Sequence, residues 1–175
     1  MSTLIQAYTH EGRLNGTLTT SGRLGDLLEL VDSLVVVEPV IRPLTGGPDR
    51  HQPRSVIHLD DLCLIVVPAD MPTPKMSTWH RIALQCGPYH VTAALPTKPG
   101  FDPTRYAIRP GGTFVLLGQV KVSLAGSNGS PIVAEHDLAW VNRYVVDSYQ
   151  AELDLDGFFP GVRRSNLAAT SPRPQ

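Results

Sequence analysis

Cysteine is scarce in this chain. Two in 175 residues cannot build a disulfide framework, so a reducing cytoplasm is the expected setting. Charge of one sign is missing too: 15 Lys+Arg stand against 16 Asp+Glu, a formal net charge of −1. A protein that grips nucleic acid by neutralising phosphates needs a positive excess, so this balance argues against nucleic acid as the partner. No apolar run approaches the roughly 18 residues of a membrane span, so no membrane partner is expected. The opening Met1-Ser2-Thr3-Leu4-Ile5-Gln6 lacks the basic and then apolar regions of a signal peptide. What is plentiful is Gly (15) and Pro (16), about half as much again as ordinary usage, which favours short elements and turns. With 42% hydrophobic residues the chain can still bury a core.

Strand patterns dominate. Leu4 to Thr9 and Arg13 to Thr20, separated by His10-Glu11-Gly12, read as a hairpin. Leu34 to Val37 continues through Glu38-Pro39 into Val40-Ile41-Arg42, a long strand with a bulge expected at the proline. Thr45 to Pro53 reads as a loop. Ser55 to Leu59 and Leu62 to Val67 follow as strands broken by Asp60-Asp61. One helical stretch, Gly22 to Leu30, places positions 24, 27, 28 and 31 on a common stripe, with Ser21 as a possible cap and Gly25 weakening it. Three prolines between Pro68 and Pro74 make a stiff connector.

After the connector the pattern restarts. His80 to Cys86 and Tyr89 to Leu95 form a second hairpin around Gly87-Pro88. Thr113 to Leu117 runs through Gly118-Gln119 into Val120 to Leu124, and Ile132 to Val141 and Tyr144 to Ala151 are the last strands. The restart suggests an internal duplication. Ile5 falls on Ile82 and Leu18 on Leu95 at an offset of 77; Leu34, Val36, Val40 and Leu44 fall on Phe114, Leu116, Val120 and Leu124 at 80; Asp60-Asp61 falls on Asn142-Arg143 at 82. A single sandwich of similar strands would give a comparable pattern. Gly100 to Tyr106, where the second copy should match the helix, carries no helical pattern. The division expected is a first unit over 1–68, a linker over 69–76, a second unit over 77–156 and a flexible tail over 157–175.

Each half therefore offers a hairpin, a longer bent strand, a loop, and two strands split by a polar pair. That order resembles the Sm-like and SH3-like small β-barrels, and His10-Glu11-Gly12-Arg13-Leu14-Asn15-Gly16-Thr17-Leu18 is similar to the Sm hairpin. The resemblance implies an all-β fold of two tandem five-stranded small barrels, to which the residue pattern adds at most one short helix in the first. Members that bind RNA carry an Asp-x-x-Asn loop and an Arg-Gly turn; this chain has Gly25-Asp26-Leu27-Leu28 and Asp60-Asp61 instead. Gly22-Arg23-Leu24-Gly25-Asp26-Leu27-Leu28 and Ala139-Trp140-Val141-Asn142-Arg143 also resemble stretches of an uncharacterised bacterial domain family, which carries no established activity across.

Chemistry is thinly signalled. The six histidines include no pair at metal-ligand spacing. The densest sets are His58 with Asp60, and Glu135-His136-Asp137; His58, Asp60, His136 and Asp137 are the weak metal candidates, and the bland reading is polar strand ends. Cys63 and Cys86 lack a CxxC partner and read as small buried hydrophobes. No G-x-S-x-G elbow, P-loop or G-x-G-x-x-G is present. No catalytic residue and no cofactor is expected. The binding candidates are Arg23 and Asp26, three apart on the short helix and so able to pair at its rim, and Trp79, placed beside the connector to pack the halves together. The function expected is a non-enzymatic binding or scaffold module acting on a protein partner or by self-association. The alternatives are an Sm-like regulator contacting RNA or DNA, and a small-molecule- or metal-dependent enzyme.

Overall fold

Alternating apolar and polar residues drive this chain into strands. The computed structural model describes residues 2–20, 22–66, 75, 77–100, 112–125 and 131–164. The elements in order are β1 (Ser2–Thr9), β2 (Gly12–Thr19), α1 (Leu24–Leu30), β3 (Ser33–Pro43), β4 (Arg50–His51) and β5 (Arg54–His58). A 3₁₀ turn (Leu59–Asp61) leads into β6 (Leu62–Val66). Then come β7 (Thr78–Cys86), β8 (Tyr89–Thr97), β9 (Phe114–Ala125), β10 (Pro131–Asn142), β11 (Ser148–Ala151) and β12 (Arg163–Arg164). The fold is all-β with one short helix among the described residues. Ser21, the connector 67–74 and residues 101–111, 126–130 and 165–175 lie outside them.

The hydrogen bonds draw one open sheet rather than two separate closed ones. Its order is β12-β11-β7-β8-β9-β10-β6-β1-β2-β3-β4, with β5 also on β3. Among the described residues only β11 with β12 is parallel. The same five-strand order occurs twice, as β6-β1-β2-β3-β5 and as β11-β7-β8-β9-β10, and β6 meets β10 where the two join.

The registers repeat as well. Ala7 faces Ile65 as Leu84 faces Tyr149, and Ser33 faces His58 as Phe114 faces Asn142. Both long strands bend at a non-glycine residue with φ of 50°, Glu38 and Gln119. Each bend sits opposite a register shift in its hairpin partner, between Asn15 and Thr17 and between Thr92 and Ala94. The bulge expected near Pro39 is thus present, and the matching offset is 81 rather than 80. The 3₁₀ turn likewise matches at 84, His58 on Asn142, rather than at 82. The bulges reverse the in-out alternation, so a one-residue slip still lays apolar on apolar.

Burial divides into two interlocking cores. The first holds Ile5, Leu14, Leu18, Leu28, Leu34, Val36, Leu62 and Ile65, and Phe114 of β9 enters it. The second holds Leu84, Val91, Leu117, Val141, Tyr149 and Phe159, with Tyr8, Cys63 and Leu64 contributed by the first half. Strand β6 is buried on both faces, which is why Leu62 to Val66 is continuously apolar.

Helix α1 puts Leu24 and Leu28 into the first core, while Leu27 is half-buried and Leu30 is exposed. Arg23 is its N-cap and makes no side-chain cap bond. Gly25 weakens the helix but is required by packing. A Cβ there would stand 2.9 Å from Cζ2 of Trp140, so only glycine lets the helix lie on the indole.

The expected flexible tail begins too early. Phe159 is fully buried, its N–H and that of Phe158 bond Leu155 O, and Leu155 N–H donates to Tyr149 Oη at 3.1 Å. The segment lacks periodicity because its two aromatics dock singly onto the core, which leaves no sequence pattern to read.

Candidate functional site at the sheet junction and its edges

Where the halves join, Ala139, Trp140 and Val141 of β10 run beside Val66, Ile65 and Leu64 of β6. Trp140 packs against the first core and under Gly25 of α1. Its Nε1 is shielded from solvent and has no hydrogen-bond partner, so the ring is held by shape. Asn142, buried, donates from Nδ2 to Leu59 O at 2.9 Å, and its Oδ1 accepts from Tyr144 N at 3.0 Å. The end of β10 is therefore tied to the 3₁₀ turn of the first half.

A polar cluster lies on the other flank of the junction. Tyr8 and Tyr89 meet edge to face at 5.3 Å, and Tyr89 Oη donates to Thr9 O at 2.9 Å. Tyr8 Oη stands 2.7 Å from His136 Nε2 and accepts from Gln6 Nε2 at 3.2 Å. Tyr8 Oη and His136 Nε2 thus share a hydrogen bond whose direction is set by the imidazole tautomer. Desolvation first, and then the nearby Arg13 cation, hold His136 below its ordinary pKa. Desolvation also raises Tyr8 and Tyr89.

Both cysteines are buried and free. Cys63 Sγ lies 3.8 Å from His10 Nε2. Desolvation pushes the Cys63 thiol up to about 12 and raises Cys86 further still. Both are protonated at neutral pH, which suits packing and not nucleophilic attack.

The two ends of the sheet differ. Strand β5 pairs with β3 through Ser33–His58 to Val37–Arg54, and among the described residues nothing pairs with its other side. Val56 on it is 54% exposed. At the far end β11 pairs with β7, and its outer side carries β12, with Ser148 opposite Arg163 and Tyr149 opposite Arg164.

The residues singled out from sequence scatter. Arg23 and Asp26 are both exposed at the start of α1, and no ion pair joins them. Trp79 lies over Gly118 within the second half, where a Cβ on Gly118 would stand 2.6 Å from its ring. Trp140, read from sequence as core, is the tryptophan that bridges the halves. His58 and Asp60 sit exposed at the end of β5 and in the 3₁₀ turn, while His136 is engaged by Tyr8 and Glu135 pairs with Lys121 at 2.7 Å. Among the described residues no group of three or more His, Cys, Asp or Glu could hold a metal, so the structure does not bring His58, Asp60, His136 and Asp137 together. Tyr8, Arg13 and Tyr89 were missed. A polar residue within an otherwise apolar hairpin was the one available signal, and it does not say which hairpins meet.

Set against protein-family models, curated proteins and solved structures, the chain matches none.

Proposed function

We propose that the chain is a scaffold built from two bent five-stranded units of Sm-like strand order, and that it self-associates through its sheet edges. The reading rests on the β6–β10 junction. Each half has a strand like β10 at one edge (β5 in the first half) and a strand like β6 at the other (β11 in the second). Transferring the junction register by the repeat offset places Ser55, Val56 and Ile57 of one copy opposite Gln150, Tyr149 and Ser148 of the next. Those last two residues are the ones β12 pairs with. In this reading β12 shields the edge, and β5 of a neighbouring copy takes its place. Such head-to-tail pairing repeats, giving a ring if it closes and a filament if it does not. Exposed strand edges are templates for this kind of addition.

Light scattering coupled to size-exclusion chromatography tests it. The full chain should show concentration-dependent association. Val56→Lys, which puts a charge on the exposed edge, should suppress it, and a chain ending at Val162, lacking β12, should strengthen it. A strict monomer in all three at high concentration contradicts the proposal. A dimer that does not grow supports isologous pairing of β5 with β5 instead.

A further inference from the structure

Beside the junction the two halves enclose a cavity of about 310 Å³, at the small end of the roughly 300–1,000 Å³ typical of ligand sites. One wall comes from the end of β3 and the loop after it, with Pro43 and Leu44. The opposite wall is Val122 and Leu124 of β9 and Ala134 of β10. Tyr8, Tyr89 and Arg13 also line it. Arg13 is half-buried with its guanidinium against Tyr8, and its Nε is shielded from solvent without a hydrogen-bond partner. A second arginine on the wall is already satisfied. Arg42 donates from Nε and Nη2 to the two oxygens of Asp49 at 3.1 and 3.0 Å. Asp49 is therefore already paired with Arg42, and Arg13 is the lining cation that no carboxylate pairs among the described residues.

A cation left without a carboxylate on a cavity wall attracts an anion, and a carboxylate matches the planar fork of a guanidinium. We propose that this cavity binds a small carboxylate with an unbranched apolar body. The head group bonds Arg13, and the chain lies between Leu44 and the Val122–Leu124 wall. Neutral or cationic molecules of the same shape gain the apolar contacts but leave the Arg13 charge unpaired or are repelled by it. The inference is independent of edge pairing, since none of these residues belongs to β5, β11 or β12.

Isothermal titration of the dilute full chain with octanoate, 1-octanol and octylammonium tests the proposal. Octanoate should bind one per chain, about tenfold to a hundredfold tighter than octanol, the range of a charge-assisted hydrogen bond. Octylammonium should bind more weakly than either. Arg13→Met keeps the aliphatic stem and should bring octanoate down to the level of octanol. Ala134→Phe fills the cavity and should abolish both. Three results overturn the proposal: octanol binding the unaltered chain as tightly as octanoate, an octanoate affinity unmoved in folded Arg13→Met, or no octanoate heat below its micelle concentration. The comparison of ligands on the unaltered chain decides the matter even if a variant fails to fold.

Discussion

The two halves share a strand order and a bend but finish their cores differently. The first half covers its core with α1, seated through Leu24 and Leu28, and leaves β5 bare. The second half covers its core with the segment after β11, seated through Leu155 and Phe159, and its edge carries β12. The glycine compensations differ in the same way. Gly25 admits Trp140 from the other half, whereas Gly118 admits Trp79 from its own. A bent five-strand scaffold can thus be completed from different parts of the chain, and the completing pieces decide which edge stays open.

Phe159→Ala should have the largest effect, about 3–5 kcal/mol, because a fully buried ring leaves a cavity that this corner cannot collapse. Urea unfolding measures it. A loss under about 1 kcal/mol would return the segment to the status of a loose tail, and the symmetry of the two coverings would fail.

The glycine pair sharpens the comparison at smaller cost. Gly25→Ala gains about 1 kcal/mol of helix propensity but drives its Cβ into Trp140, and overpacking of this kind costs about 1–3 kcal/mol. Gly118→Ala meets Trp79, which is 37% exposed and can swing outward, so its cost should be the lower of the two. The reverse order in thermal denaturation would mean that Trp140 is not wedged between the halves.

The smallest effect is a pH dependence at the junction. His136 is held below its ordinary value of 6.5 by burial and Arg13, so in that range the unfolded chain binds the proton more readily. Stability from this site is complete above about pH 6.5 and declines as the pH falls below it. Comparing urea midpoints at about pH 7.5 and about pH 5.5 for the unaltered chain and His136→Gln should show a shallower acid loss in the variant. Equal losses would place the acid sensitivity elsewhere.

Much of this was legible in the sequence, for reasons that also explain what was not. Period-two alternation marks strands wherever one face is buried, so β1, β2, β7 and β8 were readable to within a residue or two. The short helix was readable from Leu24 and Leu28. The offsets slipped by one or two residues because Glu38 and Gln119 break the alternation. The site was scarcely legible at all. Trp79 and Trp140 look alike as sequence, and only the β6–β10 pairing tells which one crosses the junction. Arg13 sits in a polar hairpin position, and the cavity it lines is shared with β9 and β10, more than a hundred residues away in the chain.

The most direct test of the account is amide hydrogen exchange of β5 and β12, measured at micromolar and at millimolar concentration. The alternate β5 amides that do not bond β3 should exchange freely in the dilute sample. They should slow at high concentration, while the β12 amides speed up as the neighbouring strand displaces them. If β5 exchange is the same at both concentrations, or if β5 slows while β12 keeps its protection, the edges do not pair as the internal junction does.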